Sequence, residues 1–311
     1  GKAAIVRGLS VPATLNPQMV TFKRRQINDT FLGYVVTSEF FQTQLTATAV
    51  GGALPTLSQK EIAGYRFACP DDAKEQEAIA QALSDADSLI EKLERLIAKK
   101  RFIKQGAMQE LLTGRRQLPG FSREWVEQSL PELAEIRSGG TPSTTDPEMW
   151  DGDVAWCTPT DITALEGSRF LSQTSRSITE LGLRKSAAEL LPTGTIVMTS
   201  RATIVECAIA TIPVATNQGF KNFIPRPGTD RDFLFYLLSA QKPGFLELCS
   251  GSTFLEIGVS QLRKYLVRVP ADRSEQVKIS GILNDMDTEI QALEARLEKI
   301  RKIKEGMMQN L

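Results

Sequence analysis

EQEAIAQALSDADSLIEKLERLIAKKRFIKQGAMQELL (residues 75–112) and EQVKISGILNDMDTEIQALEARLEKIRKIKEGMMQNL (residues 275–311) are two versions of one segment, aligned without a gap 200 positions apart. Identities include Ile79/Ile279, Leu83/Leu283, Asp85/Asp285, Asp87/Asp287, Ile90/Ile290, Leu93/Leu293, Glu94/Glu294, Arg101/Arg301, Lys104/Lys304, Gly106/Gly306 and Met108/Met308. Asp72 and Asp272 each precede the shared Glu by three positions, a capping-box spacing that predicts helices starting just after those aspartates. Apolar residues then recur at steps of four and three: Ile79, Leu83, Ala86, Ile90, Leu93, Ile97, and Ile279, Leu283, Met286, Ile290, Leu293, Leu297, Ile300. That is the seam of a coiled coil. Each helix is expected to run for about 38 residues, a rod on the order of 55 Å. The narrow stripe needs a partner, and the other copy carries the same stripe. Lys104 and Lys304 interrupt the seam where it would continue, so the stripe drifts near the helix ends.

The register extends upstream through Tyr65/Tyr265 and Pro70/Pro270. A looser match joins Phe31-Leu32-Gly33-Tyr34 to Phe233-Leu234-Phe235-Tyr236, and a weaker one joins Val11-Pro12-Ala13-Thr14 to Val214-Ala215-Thr216. The repeat therefore includes a globular part. Residues 121–200 have no counterpart, so the first copy is expected to lack its front half. An ordinary dimerisation coiled coil is the simpler alternative, but it leaves the globular repeat unexplained.

Composition limits the chemistry. The 311 residues are 41% hydrophobic, enough for about two domain cores. Lysines and arginines number 37 and so do aspartates and glutamates, so any attraction to nucleic acid must come from local patches. There is no histidine, which removes imidazole-based hydrolysis and most zinc-hydrolase chemistry. Cys69, Cys157, Cys207 and Cys249 form no CxxC pair, so neither a zinc site nor a disulfide framework is expected. No run approaches the roughly 18 apolar residues of a membrane span and the first residues lack a secretory layout. A cytoplasmic protein with no membrane partner is expected.

Between Leu118-Pro119-Gly120-Phe121 and Pro270 the pattern changes to short β-favouring runs. Val154–Trp156, Thr195–Met198, Cys207–Ala210 and Phe220–Ile224 read as strands, residues 230–248 as a helix, and 138–147 and 172–188 as long polar loops. This is an α+β domain of about 150 residues, with strands that can form a highly curved sheet. The loops hold the candidate nucleic-acid contacts. Arg137, Ser138, Gly139, Thr141 and Ser143 combine open backbone, hydroxyls and a cation suited to phosphate oxygens, or form a plain turn. Ser200, Arg201 and Thr203 follow a strand and offer a guanidinium that can grip a guanine edge or enter a salt bridge. Asn217, Gln218 and Lys221 can address adenine edges or close a turn. Arg169, Arg176, Arg184 and Lys185 make their stretch locally basic, with Arg169 and Lys185 the candidate phosphate contacts, while Glu180 and Glu189 dilute it.

The EQ-x-x-IA-type helix entry, the run from Leu93 to Gly114 and the following Leu118-Pro119-Gly120-Phe121 resemble the central conserved region of specificity subunits of Type I restriction-modification systems. SGGTP at 138–142, Trp156 with Asp161, SRATI at 200–204 and NQGF at 217–220 resemble the target-recognition domains of that family. The resemblance implies residues 1–72 as the C-terminal part of a first recognition domain, 73–115 as the central conserved helix, 116–272 as a second recognition domain and 273–311 as the distal conserved helix. It implies two antiparallel helices acting as a ruler between modules that read a bipartite double-stranded DNA site. The same helices would dock two methyltransferase subunits, with Ile79, Leu83, Ile90, Leu93, Ile279, Leu283, Ile290 and Leu293 the positions for helix–helix contact or partner docking. Motor-nuclease subunits would join these. S-adenosylmethionine would belong to the methyltransferases, with no cofactor, metal or catalytic residue in this chain. One departure stands out: the family usually has Gly after SRATI, whereas Val205-Glu206 follow here.

Two other classes compete. An enzyme would need an Asn/Asp-Pro-Pro-Tyr/Phe tetrapeptide, a Gly-rich cofactor loop, a GxxxxGK motif or a carboxylate-lysine nuclease cluster, and none is found. A coiled-coil assembly or regulatory protein of the same complex that does not bind DNA is the other alternative, consistent with the zero net charge.

Overall fold

The computed structural model describes residues 14, 16, 19–22, 26–48, 59–201, 203–249, 256–309 and 311. Most of the Val11–Thr14 match therefore lies outside the described residues. Two long helices, α4 (Ala73–Leu111) and α11 (Arg273–Met308), begin immediately after Asp72 and Asp272. The chain forms two compact units, residues 1–101 with 288–311 and residues 102–287, so both helices contribute to each unit.

The helix starts differ from a capping box in one respect. Asp72 and Asp272 do cap, accepting from the amides of Lys74 and Ser274 at 2.9 and 2.8 Å. The glutamates do not reach back: Glu75 is exposed, and the carboxylate of buried Glu275 lies 3.5 Å from the Gln117 amide nitrogen. The neighbouring glutamines do the joining, because an amide both donates and accepts. Gln76 donates to the Pro70 carbonyl at 2.7 Å and accepts from the Asn28 amide at 2.9 Å. Gln276 donates to the Pro270 carbonyl and accepts from the Asp230 amide at 2.9 Å. Asn28 and Asp230 are themselves the N-caps of α1 (Asp29–Thr37) and α8 (Arg231–Ala240). Each buried glutamine thus ties a long helix to the start of a short one.

In the first unit α1, α2 (Glu39–Thr48) and α3 (Gln59–Ala63) accompany the early part of α4 and the late part of α11. Phe31, Val35, Val36, Phe41, Leu45 and Ala80 form its core, with Phe41 meeting Tyr65 and Phe67 edge-on. A second cluster is the coiled-coil seam: Leu93, Ile97 and Leu297, flanked by Leu89, Ile90, Leu293 and Ile300. The helices are antiparallel here, since Arg101 pairs with Glu294 and Arg301 with Glu94, both at 2.6 Å, and Lys100 with Glu289 at 2.6 Å. Lys304 crosses to Asp87 at 2.6 Å, and Asp87 also accepts from the Tyr34 hydroxyl at 2.8 Å. The seam lysine is therefore a register pin.

The second unit holds the β-rich module. Its strands are β1 (Trp125–Ser129), β2 (Ala134–Ser138), β3 (Trp150–Cys157), β4 (Phe170–Leu171), β5 (Arg176–Ile178), β6 (Ile196–Thr199), β7 (Cys207–Ala210), β8 (Ala215–Thr216), β9 (Phe220–Pro225) and β10 (Leu266–Pro270). They divide into sheets ordered β2-β9-β6-β7-β4, β5-β3-β8 and β1-β10. Short helices punctuate them: α5 (Leu130–Leu133), α6 (Pro159–Thr163), α7 (Glu180–Arg184), α9 (Lys242–Glu247) and α10 (Val259–Lys264). The stretch 172–188, expected as a loop, contains β5 and α7. The helix expected at 230–248 breaks at Gln241, where Pro243 opens a second helix. Antiparallel pairing of Trp125–Ser129 with Leu266–Pro270 closes the module on itself. Phe233, Leu234, Leu237, Phe223, Ile279 and Leu283 are fully buried in one core with Leu111 and Leu112.

The amide accounting at the helix starts predicts the stability of the junction. Gln276→Ala removes both partners of a buried donor and acceptor and should cost about 2 kcal/mol, read as a lower urea midpoint. Glu75→Ala, on an exposed residue, should change stability by less than about 0.5 kcal/mol. Equal effects would contradict the assignment of the junction to the glutamine.

Candidate nucleic acid interface

Three loops, distant in sequence, are hydrogen-bonded to one another at one end of the β module. The first, Ser138-Gly139-Gly140-Thr141, leaves the end of β2. The second, Ser200 to Val205, links β6 to β7. The third, Asn217-Gln218-Gly219, links β8 to β9. The Gly140 amide donates to the Thr216 carbonyl at 2.8 Å, and the Thr141 hydroxyl to the Gln218 side chain. The Ser200 amide and hydroxyl both donate to the Gly219 carbonyl, at 2.7 and 3.0 Å. Gly139 makes the first contact possible, and Gly140 lets the same loop pass close to the backbone at Ala187. A Cβ on Gly139 would sit 1.9 Å from the Asn217 carbonyl oxygen, and one on Gly140 2.2 Å from the Ala187 carbonyl carbon.

The second loop is wound around one side chain. Thr199 donates its hydroxyl to the Thr203 carbonyl and accepts from the Glu206 amide at 3.0 Å, while the Val205 amide returns to the Thr199 carbonyl at 2.9 Å. Val205 takes φ of +65°, a left-handed conformation that glycine adopts freely and a β-branched residue does not. This is the position where a glycine is usual after SRATI; the Val205 side chain is buried in the module core, which offsets part of the strain.

The third feature is a charged cluster. The Arg201 guanidinium meets Glu256 at 2.9 Å and remains 47% exposed. Lys221 lies beneath, its side chain 6% exposed, donating to the Ser200 hydroxyl at 3.2 Å and 3.8 Å from the second Glu256 oxygen. Burial pushes the Lys221 ammonium below its ordinary value; Glu256 pulls it back up and Arg201 pushes it down. Glu256 was not legible in the sequence. It lies more than 30 positions from both partners and comes alongside through a bridge between Arg201 and Glu256 and an Ile257 amide bonded to the Ser200 carbonyl.

The expected contact residues divide accordingly. Thr141, Thr203, Gln218 and Arg201 belong to the loop cluster, with Thr203, Gln218 and Arg201 exposed. Ser138, exposed, stands at the end of β2 opposite Lys221, and Arg137 opposite Asn222. Arg137 is paired with Glu135 and lies 3.8 Å from Glu189. Ser143 meets Thr145 and gives its carbonyl to the Trp150 indole at 2.9 Å, tying its loop to the second sheet. Lys185 is exposed beyond the end of α7. Asn217 closes a turn, its side chain accepting from the Gly219 amide at 2.8 Å.

Three of the expected contact residues do not lie on the exposed face. Ser200 is fully buried with its hydroxyl used inside the protein, Lys221 is 4% exposed, and Arg169 faces the helix junction. Arg169 donates to the Tyr236 hydroxyl at 2.6 Å and to Asn284 and lies 3.8 Å from Asp232, so its charge is taken up internally.

Asp161 anchors the neighbouring loop. Its carboxylate accepts from the Thr158 amide and hydroxyl at 2.7 and 2.8 Å and from the Ser175 amide at 2.7 Å. Burial alone would raise its pKa, but these donors outweigh it and hold the carboxyl below its ordinary value. Trp156, close by, donates to the Gly140 carbonyl at 3.0 Å, and Arg176 stacks on Trp150 at 4.0 Å.

The 102–287 unit is thus an α+β module whose strands end at a polar, loop-built face. A family model described as "Type I restriction modification DNA specificity domain" matches residues 122–302, and the chain belongs to that family. It is 34% identical over 190 residues to the Type I restriction enzyme MjaIX specificity subunit of Methanocaldococcus jannaschii, covering 60% of this chain and 44% of that protein. It is 28% identical over 168 residues to the EcoprrI specificity subunit of Escherichia coli, covering 52% and 40%. The chain therefore spans less than half the length of these curated relatives. Among solved structures, the S subunit from M. genitalium has a similar fold, with a TM-score of 0.60 at 16% identity over 92% of this chain and 72% of that one. A chain from a structure on complex assembly and conformational transition of the type I R-M system gives 0.59 at 18% identity, covering 92% and 72%.

A carboxylate held below its ordinary pKa stabilises the fold above the unfolded value of about 3.9 and loses that contribution as pH falls through the lower folded value. Asp161→Asn, which cannot accept all three bonds, should cost about 1–3 kcal/mol near neutral pH and flatten the acid limb of a stability-against-pH curve. An unchanged limb would show that Asp161 does not anchor this loop.

Proposed function

We propose that this chain is a DNA-recognition subunit of a Type I restriction-modification complex, with the loop face of the 102–287 unit reading one part of a bipartite double-stranded DNA site. The observation that carries this reading is the convergence of three loops on one exposed polar face. Arg201, Thr203, Gln218 and Thr141 are the base-edge candidates there, because a guanidinium fork matches guanine and a side-chain amide matches adenine. Ser138, Ser143, Arg137 and Lys185 flank them as phosphate contacts, and the backbone amides of the glycine loop add neutral donors.

The chain itself is non-catalytic in this reading. Two methyltransferase subunits dock on the long helices and carry S-adenosylmethionine, and motor-nuclease subunits join them. The repeat supports a second reading element at the other helix junction, since Tyr34, Asp87 and Lys304 reproduce Tyr236, Asp287 and Lys104. Among the described residues no helix is long and apolar enough to cross a membrane.

A gel-shift titration at several salt concentrations tests the assignment. Binding should weaken linearly on a log–log plot as salt rises. Arg201→Ala should cost roughly 1–3 kcal/mol of discrimination at one base position and leave the others intact. Salt-independent or absent DNA affinity would point instead to a protein that only assembles the complex.

A further inference from the structure

We propose that Glu256 is a specificity-determining positioning residue: it orients the Arg201 guanidinium as a base reader and prevents it from serving as a phosphate clamp. This rests on the DNA-reading assignment above and adds a residue whose charge is opposite to the one expected at a DNA-facing surface.

The geometry has three parts. Lys221 sits almost wholly inside the module, fixed to Ser200 and the Phe220 carbonyl, so its ammonium cannot extend to a phosphate. One oxygen of Glu256 lies 3.8 Å from that ammonium and the other 2.9 Å from Arg201 Nη2, so the carboxylate bridges an internal cation and an exposed one. The backbone pairing of Arg201 with Glu256, and of Ile257 with Ser200, holds the two chains side by side. Arg201 therefore hangs from a support built into the protein.

The consequence follows from how guanidinium and phosphate interact. A free arginine on a flexible loop is drawn to the nearest phosphate by net charge, and it gives up side-chain freedom on binding any sequence. A carboxylate beside it offsets that net attraction while occupying only one of its five donors. The remaining donors still match the paired acceptors of guanine, whose recognition depends on hydrogen-bond direction. Opposite charge at this place trades overall affinity for discrimination.

The test uses the full chain, Glu256→Gln, Glu256→Asp and Arg201→Ala, all checked for equal thermal unfolding. One arm sequences duplexes enriched from a random pool; the other titrates salt against poly(dA–dT). Wild type should enrich a motif with one guanine that Arg201→Ala no longer selects. Glu256→Gln should lose roughly tenfold or more of its preference at that same position. It should also bind poly(dA–dT) more tightly, with a salt slope steeper by about one. Glu256→Asp should recover part of the preference. Unchanged preference and slope in Glu256→Gln, or an equal loss at every position, would overturn the proposal while leaving DNA reading intact. A wild-type chain that enriches no sequence would overturn the DNA-reading assignment and this proposal with it.

Discussion

Two crossed ion pairs set the register on which the rest depends. Lys304 meets Asp87 in one unit and Lys104 meets Asp287 in the other, each lysine lying also over a tyrosine, Tyr34 or Tyr236, that donates to the same aspartate. The Lys104–Asp287 side chains are only about a fifth exposed. A slip of four residues would set Lys104 against Leu283 or Gln291, leaving partly buried charges unpaired, which is far costlier than a mismatch of apolar residues. Leucines and isoleucines along the seam attract the helices without choosing among registers; the polar interruption chooses. The tyrosine extends that choice to the short helix behind it.

The loop face is built on the same logic of rigid support. Gln276 fixes the N-cap of α8, α8 packs into the module core, and the strands of that core end at the three loops. Gly139 and Gly140 allow backbone to approach backbone, Thr199 holds the turn that carries Arg201, and Val205 keeps a left-handed conformation against its own preference. Strain at one residue is tolerated because the surrounding bonds over-determine it. The proposed base reading requires such stiffness, since a hydrogen-bond fork that wanders discriminates poorly.

Much of this was legible in the sequence, for physical reasons. The helices were readable because period and capping are local, and the repeat doubled the signal. The segments 154–156, 195–198, 207–210 and 220–224 stand out as short β-favouring runs, and β3, β6, β7 and β9 lie there. Two-residue strands such as β4 and β8 were not readable, because they exist only through pairing with distant partners. The glycine and amide motifs lie in the loop cluster, but residue type does not separate exposed Arg201 from buried Lys221 or from Arg169, whose partners come from α8 and α11. Glu256 carried no local signal at all. The role of Glu75 and Glu275 was misread for a related reason: the spacing fitted a cap, but burial had assigned the junction to the adjacent glutamines.

DNA is proposed to lie on the loop face. Photo-crosslinking measures that most directly, with a benzophenone side chain placed in turn at Thr141, Gln218 and, on the long helix, Phe102, which is 77% exposed. The first two positions should crosslink to duplex DNA and the third should not. Crosslinks from Phe102 with none from Thr141 or Gln218 would contradict the assignment of the β module's loop face as the reader.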